Sequence, residues 1–194
     1  HKLLIRQRKR KAITTDSRHW MRKYSNLVKG LALTRPEQVW VSDITYVPIE
    51  DPTARLGHRF CFLTLIMDAY SKRILGHRVA PTLEAKYSIE ALKLALETLP
   101  DGFTEKLIHH SDRGTQYASA EYIEVLTEHK GTPSMTENGK PKDNAMAERI
   151  NSTIENELLH GKTFTSLKEV LEAVDKAIAF YNTERPHRSL DWHT

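Results

Sequence analysis

Apolar and polar residues alternate over the first half of the chain with the two-residue period of β-strands. Residues 39–49 alternate in this way and are rich in β-forming types, so they predict a first strand that ends near Pro48. Residues 59–70 predict a second strand that is apolar enough to be central, and residues 72–79 predict a third. Because the connections are short, the three strands are expected to form an antiparallel meander.

The apolar spacing changes to a helical period after residue 83. Residues 83–99 predict a helix that is stopped by Pro100 and Gly102. Its predicted apolar face consists of six residues: Leu83, Tyr87, Ala91, Leu94, Ala95 and Leu99.

The rest of the chain predicts strands that alternate with helices. In chain order these are a strand, a helix, a short strand and two helices, at residues 106–112, 120–130, 132–136, 143–159 and 166–184. Asp143 or Asn144 is expected to cap the first of the last two helices, and Ser166 the second. Three antiparallel strands followed by β-α units describe an α/β fold of the ribonuclease H-like type, in which a five-stranded mixed sheet is flanked by helices.

The charge of the chain is unevenly distributed. The 194 residues carry a formal net charge of +4. Residues 1–30 contain ten Lys and Arg but a single acid, Asp16, whereas the remaining 164 residues have a net charge of −5. We therefore divide the chain into a basic N-terminal arm or linker, residues 1–35, and a core domain, residues 36–194. The arm is interpreted either as a solvated linker or as a nucleic-acid-binding segment.

The composition excludes several classes of protein. Cys61 is the one cysteine, so the chain has no internal disulfide and no zinc site with two thiolates, and a reducing compartment is expected. The longest apolar run, residues 60–67, is too short to span a bilayer, so no membrane partner is expected. The chain starts without an initiator Met or a signal-peptide layout, and we expect it to be a fragment of a longer protein.

Three acidic residues stand where the predicted fold brings separate segments together. Asp43 interrupts the first strand, Asp112 ends the fourth, and Glu148 lies in the first turns of the helix after Asn144. A strand carboxylate is costly to bury unless it is paired or bound to a metal. Carboxylate oxygens are the ligands that Mg²⁺ prefers, although each acid taken alone is also an ordinary edge or helix-terminal residue.

Three segments closely resemble the motifs of the retroviral-integrase-like DDE transposases of bacterial insertion sequences. These segments are residues 40–46, 110–117 and 143–149. Thirty-five residues lie between Asp112 and Glu148, the same spacing as in that family. Residues 181–190 also look like the C-terminal signature of the family, and the resemblance covers about residues 36–192.

The resemblance implies a function and a catalytic site. Asp43, Asp112 and Glu148 would be the catalytic residues and would hold Mg²⁺ or Mn²⁺, with two ions present when DNA is bound. The enzyme would cut DNA at the transposon end and then join the freed 3′-hydroxyl to a target phosphodiester. The expected partners are transposon-end and target DNA, with a homo-oligomer on the DNA. The expected location is the bacterial cytoplasm, in association with the nucleoid.

Other residues are candidates for contact with DNA. They lie in the basic loop before the helix that carries Glu148, or on the helix itself: Lys140, Lys142, Asn144, Arg149 and Glu155. The apolar stripe predicted to pack on the sheet is Ala147, Ile150, Ile154 and Leu158, with Glu148, Ser152 and Glu155 on an adjacent face.

Glu155 departs from the family, in which this position is usually basic and is thought to touch transposon-end DNA. A carboxylate repels phosphate, so one alternative to the transposase is a DNA-binding or assembly module with impaired catalysis. A second alternative, independent of Glu155, is a ribonuclease H-like nuclease that cuts without joining.

Overall fold

Five strands form one mixed sheet in the order β3-β2-β1-β4-β5 in the computed structural model, which describes residues 19–137 and 144–194. The strands are β1 (Val39–Glu50), β2 (His58–Asp68), β3 (Ile74–Ala80), β4 (Leu107–Ser111) and β5 (Gly131–Met135). The pairs β1–β2 and β2–β3 are antiparallel, and the pairs β1–β4 and β4–β5 are parallel. The predicted five-stranded mixed sheet is therefore confirmed.

Strand β1 lies where it is predicted and continues through Pro48 to Glu50. Strand β4 pairs with β1 at Val39–Val41, so among the described strands the far half of β1 pairs with β2 alone. A proline is tolerated in such an edge segment, where its missing N–H removes no ladder bond on the open side.

Within the described ranges, five α-helices flank the sheet. They are α1 (Ala85–Leu96), α2 (Thr115–Ala118), α3 (Ala120–Glu128), α4 (Ala145–Thr153) and α5 (Leu167–Thr183). The short helix α2 was not predicted. Ser166 caps α5 as expected, since its side chain accepts a hydrogen bond from the Glu169 amide.

The predicted apolar face of α1 is wrong in part. Leu94 is exposed, whereas Ile89, Leu92 and Leu96 are buried against the sheet. These three residues follow a stripe at i, i+3 and i+7, which competes in the sequence with the stripe that includes Leu94. Tertiary packing selects between the two stripes, and periodicity alone does not.

The two faces of the sheet carry separate hydrophobic cores. Val39 and Val41 face the core built with α4 and α5, whereas Trp40 faces the core built with α1, α2 and α3. Successive strand residues point to opposite faces, so the alternating pattern of β1 supplies both cores. On the α1 side, Gly76 allows close approach, because a Cβ at that position would overlap the Ala91 carbonyl oxygen.

Part of the predicted basic arm packs on the domain. Val28 and Leu33 contact the core between the sheet and α4–α5, and the Leu27 amide donates a hydrogen bond to Ser134 Oγ of β5 at 2.9 Å. Residues 1–18, which carry much of the basic charge, lie outside the described residues. The division of the chain at residue 36 stays a prediction.

Candidate active site

Asp43 and Asp112 lie next to each other because of the register between two parallel strands. The β1–β4 pairing ends with Val41 opposite His110, and each aspartate stands two residues beyond that pair. Equal spacing along neighbouring parallel strands brings the two side chains to the same edge of the β1–β4 junction. The expectation that distant segments converge here is met for these two residues.

A tight turn holds the Asp112 carboxylate. The Gly114 amide donates a hydrogen bond to Asp112 Oδ1 at 2.9 Å. A Cβ at residue 114 would lie 3.0 Å from that oxygen and 3.0 Å from Gln116 Oε1, so a larger residue would crowd the turn. The side chain of Gln116 is itself fixed, since its Nε2 donates to the Leu83 carbonyl oxygen at 2.8 Å.

The pKa of Asp43 is raised from 3.8 to about 7. Burial is the largest cause, followed by repulsion from the Asp112 carboxylate, and Glu148 adds a smaller repulsion. Asn151 opposes the shift, because its Nδ2 donates a hydrogen bond to Asp43 Oδ2 at 2.9 Å. The three predicted acids therefore act on one another through their charges.

Glu148 is the most exposed of the three acids and lies in the first turn of α4. Within residues 19–137 and 144–194, no group of three His, Cys, Asp or Glu side chains is close enough together to enclose a metal ion.

Asn144 ties the start of α4 to the strand that carries Asp43. Asn144 stands at the N-cap position of α4, one of the two positions predicted, and Asp143 lies outside the described residues. The Asn144 side chain makes no capping hydrogen bond; instead its Nδ2 donates to the Ser42 carbonyl oxygen at 3.2 Å. Asn144 is buried, so its side chain clamps the helix onto β1 in this structure. Its Oδ1 and that of Asn151 are buried and lack a hydrogen-bond partner among the described residues.

A hydrogen-bonded chain on the opposite face of β1 fixes the backbone beside Asp43. Ser42 Oγ donates to the Leu65 carbonyl oxygen at 2.9 Å and lies 2.8 Å from the Tyr117 hydroxyl. Both side chains are fully buried, and burial holds the pKa of Tyr117 well above its usual range. Tyr117 therefore stays a neutral donor that locks the strand on which Asp43 stands.

Glu155 lies in a π-helical turn, Ile154–Leu158, that continues α4. Thr45 Oγ1 donates a hydrogen bond to Glu155 Oε1. The π-turn closes with a bond from the Leu159 amide to the Ile154 carbonyl oxygen, and Leu159 is buried while Leu158 is only partly so. The extra residue of a π-turn thus moves the predicted apolar stripe on by one position.

A surface groove follows α4 past the acidic residues. Its lining includes four residues of α4 and the π-turn: Glu148, Arg149, Ser152 and Glu155. Glu148, Ser152 and Glu155 are the three that were predicted to share one face of the helix. Lys140 and Lys142, predicted to contact DNA, lie outside the described residues. DNA contact by Asn144, Arg149 and Glu155 also stays a prediction.

Asn151 is a site residue that the sequence analysis missed. Asn144, Glu148, Asn151 and Glu155 are spaced so that they form one polar stripe along a helix. A search for polar residues in register with Glu148 would have found Asn151, since it stands three residues further along. Its role beside Asp43 depends on a contact across 108 residues of sequence, which helical spacing does not reveal.

Two family models match the chain. The description of each is "Integrase core domain", and together they cover residues 34–141 and 129–194. The first match alone spans more than half of the chain, and it includes both Asp43 and Asp112. The chain belongs to the integrase core domain family.

Curated relatives are transposases or proteins of insertion sequences. The chain is 36% identical over 154 residues to the putative transposase for insertion sequence element IS986/IS6110 of Mycobacterium tuberculosis, covering 77% of this chain and 53% of the relative. It is 33% identical over 194 residues to the insertion element IS600 uncharacterized 31 kDa protein of Shigella sonnei, covering 97% and 67%. The chain thus spans about half to two thirds of the length of these relatives.

A solved structure of the HTLV-2 integrase catalytic core domain in complex with magnesium shares the fold. Its TM-score is 0.57 at 20% sequence identity, over 79% of this chain and 92% of that chain. The ribonuclease H-like fold predicted from the order of strands and helices is confirmed. Of the helices in the described ranges, none combines the length and apolar character that a membrane crossing requires.

Proposed function

We propose that the chain is the catalytic core of a DDE transposase, which cleaves DNA and transfers the cut strand with the help of divalent cations. The observation that carries the proposal is the meeting of Asp43 and Asp112 at the β1–β4 junction, with Glu148 close enough to raise the Asp43 pKa further. Membership of the integrase core domain family and the names of the curated relatives support it.

The residues of the site fit a hard divalent cation. Carboxylate oxygens of Asp43, Asp112 and Glu148 are ligands that suit Mg²⁺ or Mn²⁺. Asn151 Oδ1, which has no hydrogen-bond partner in the described part of the chain, is a further oxygen beside Asp43. A bound cation would offset the repulsion that raises the Asp43 pKa. Two such ions supply activation of a nucleophile and stabilisation of the leaving oxygen in phosphodiester chemistry.

The protein residues have separate tasks in this proposal. Asn151 fixes the orientation of Asp43, and the Gly114 amide fixes that of Asp112. Helix α4, clamped to β1 by Asn144, presents Glu148 at the groove. Arg149 follows Glu148 directly, and its exposed guanidinium attracts the DNA phosphates toward the acids.

The partners and location follow from the same proposal. The substrates are transposon-end and target DNA, and joining two ends requires a homo-oligomer on the DNA. An enzyme of this kind in a bacterium works in the cytoplasm at the nucleoid.

An assay of strand transfer tests the proposed function. Labelled duplexes that carry the ends of the element encoding this chain are incubated with Mg²⁺ or Mn²⁺ and a target plasmid. The expected result is both cutting and joining, with both lost in Asp112→Asn and unchanged in Asp101→Asn, a variant on the exposed loop after α1. Cutting without joining would indicate the nuclease, and neither product would indicate the assembly module.

A second measurement tests the metal site apart from catalysis. Mn²⁺ binding is followed by the electron paramagnetic resonance signal of the free ion in protein solution without DNA. We expect the wild-type chain and Asp101→Asn to take up Mn²⁺, and Asp112→Asn to lose this uptake. Equal uptake by Asp112→Asn would refute the assignment of Asp112 as a ligand.

A further inference from the structure

A cationic cavity lies beside the candidate active site. It has a volume of about 750 Å³ and is formed by α4, the end of α5 and the segment after α5. None of its described lining residues is Asp or Glu. Four of them are positively charged: Lys72, Arg149, Arg185 and Arg188. A cavity of this charge is suited to an anionic ligand.

Salt bridges within the described part of the chain pair only one of these four cations, although Asp68 also acts on Lys72 through its charge. Arg185 pairs with Glu157 at 2.8 Å. Lys72, Arg149 and Arg188 form no salt bridge with any described residue. Lys72 has a left-handed backbone conformation, with φ of 66°, and its Nζ donates to the Ala69 carbonyl oxygen. Burial lowers the Lys72 pKa, and the Asp68 carboxylate offsets only part of this effect, so a bound anion would further relieve the cost of desolvating the ammonium.

The segment after α5 folds back on itself and presents a tryptophan at the same cavity. The His187 carbonyl oxygen accepts a hydrogen bond from the Trp192 amide at 3.0 Å, and the His187 amide donates to the His193 carbonyl oxygen at 3.0 Å. The His187 ring is buried against Tyr181, with ring centroids 4.8 Å apart. The C-terminal signature seen in the sequence therefore builds a closed loop anchored on α5.

The loop holds Trp192 in an unusual exposed position. Asp191 and Trp192 both adopt left-handed backbone conformations, with φ of 51° and 67°. Such conformations are costly for residues with side chains, and they persist where surrounding contacts impose them. The Trp192 side chain lines the cavity yet is 67% exposed, so one face of the indole is open to a ligand.

We propose that this cavity binds an unpaired nucleotide of the DNA strand, with the phosphate on Lys72 and Arg188 and the base stacked on Trp192. Cationic side chains next to an exposed aromatic ring are the combination by which proteins hold single-stranded DNA. Arg149 lines both this cavity and the groove of Glu148, so a strand passing the acids continues into the cavity. The inference rests on the proposed function in that the ligand is DNA.

Tryptophan fluorescence tests the stacking directly. In a Trp20→Phe background, Trp192 is the exposed tryptophan of the described residues, since Trp40 is fully buried. A thymidine oligonucleotide of about ten nucleotides is added in EDTA, so that no catalysis takes place. We expect saturable quenching of the Trp192 signal. Absence of quenching, or equal quenching by a blunt duplex of the same length, would overturn the proposal.

Substitutions at Trp192 separate stacking from simple apolar contact. Trp192→Leu is expected to weaken binding of the oligonucleotide about tenfold, measured by fluorescence anisotropy of a labelled strand. Trp192→Phe, which keeps an aromatic face, is expected to recover part of the loss. Thermal unfolding should be the same in all three proteins because the side chain is mostly exposed. Unchanged affinity in Trp192→Leu would contradict the proposal.

Salt dependence tests the cationic half of the cavity. Replacing both Lys72 and Arg188 by Gln is expected to reduce the slope of log affinity against log salt by about 0.7 for each lost phosphate contact. Arg55→Gln is the matched control, because Arg55 lies in the β1–β2 turn, at the other end of β2 from Lys72. An unchanged slope in the double variant would refute the phosphate site.

The results distinguish this proposal from the proposed function. If Trp192→Leu binds normally while Asp112→Asn loses strand transfer, the cavity proposal fails and the transposase stands. If Trp192 is quenched as expected but Asp112→Asn remains active, the DNA site stands and the assigned catalytic residues fail.

Discussion

Replacing Asp43 by Asn is expected to stabilise the metal-free protein at neutral pH. The wild-type carboxyl has a pKa of about 7 in the fold, against an ordinary value of 3.8. The unfolded chain therefore loses this proton at lower pH than the folded chain does. The contribution of the Asp43 carboxyl to the free energy of unfolding is complete below pH 3.8 and is lost as the pH rises to about 7.

The size of the effect follows from the same pKa difference. A change from 3.8 to about 7 corresponds to roughly 4 kcal/mol between the folded and unfolded states. The carboxyl is buried but the residue as a whole keeps some accessible surface, so solvent screening reduces this, and we expect about 2 kcal/mol at pH 8. An amide at residue 43 carries no charge to repel Asp112, and its oxygen can still accept the hydrogen bond of Asn151.

Urea unfolding in EDTA between about pH 4 and pH 8 measures this effect. The free energy of unfolding of the wild-type chain should fall relative to that of Asp43→Asn as the pH rises. Asp101→Asn is the control and should follow the wild type. Added Mg²⁺ should raise the free energy of unfolding of the wild type at high pH, because the cation replaces the proton at the carboxylates. It should not raise that of Asp43→Asn. Parallel pH curves for the wild type and Asp43→Asn would refute the argument.

Three further substitutions test other parts of the structure. Gly76→Ala should cost about 3 kcal/mol in urea unfolding, because the new Cβ overlaps the Ala91 carbonyl oxygen; a loss under about 0.5 kcal/mol would contradict the packing. Asn151→Ala should lower the cleavage rate about tenfold or more by releasing Asp43, with unchanged affinity for DNA; an unchanged rate would count against its positioning role. Glu155→Lys should strengthen binding of end DNA, most of all at low salt; equal affinities across a salt titration would rule this out.

The sheet could be predicted because its signal is local. The alternation in β1 assigns its residues to two faces, and each face has a core in the structure. The face of α1 could not be predicted in the same way, since Leu94 belongs to an apolar stripe as regular as that of Leu92. A choice between two such stripes depends on the surface that the helix meets, which no single segment encodes.

The candidate site was predicted only as far as its motifs extend. Asp43, Asp112 and Glu148 were identified from their spacing and resemblance to a family. The contacts that prepare them are long-range: Asn151 reaches Asp43, and Asn144 reaches the Ser42 carbonyl rather than capping its own helix. A side-chain amide can satisfy either task, and only the packing of α4 on β1 decides which one it performs.

The formal net charge of the chain does not indicate which of its surfaces would bind DNA in the proposed function. The carboxylates at the β1–β4 junction repel a phosphodiester, and repulsion between them already raises the Asp43 pKa. On the far side of Arg149, the cavity that contains Lys72 and Arg188 has no acidic lining residue among those described. The two proposals therefore assign attraction of DNA and cleavage of DNA to two neighbouring surfaces, and Arg149 lines both. If the proposed function and the proposed nucleotide site are both right, a DNA strand held by the cationic surface would enter the acidic one once cations offset the carboxylates, and binding would depend less on metal than cleavage does.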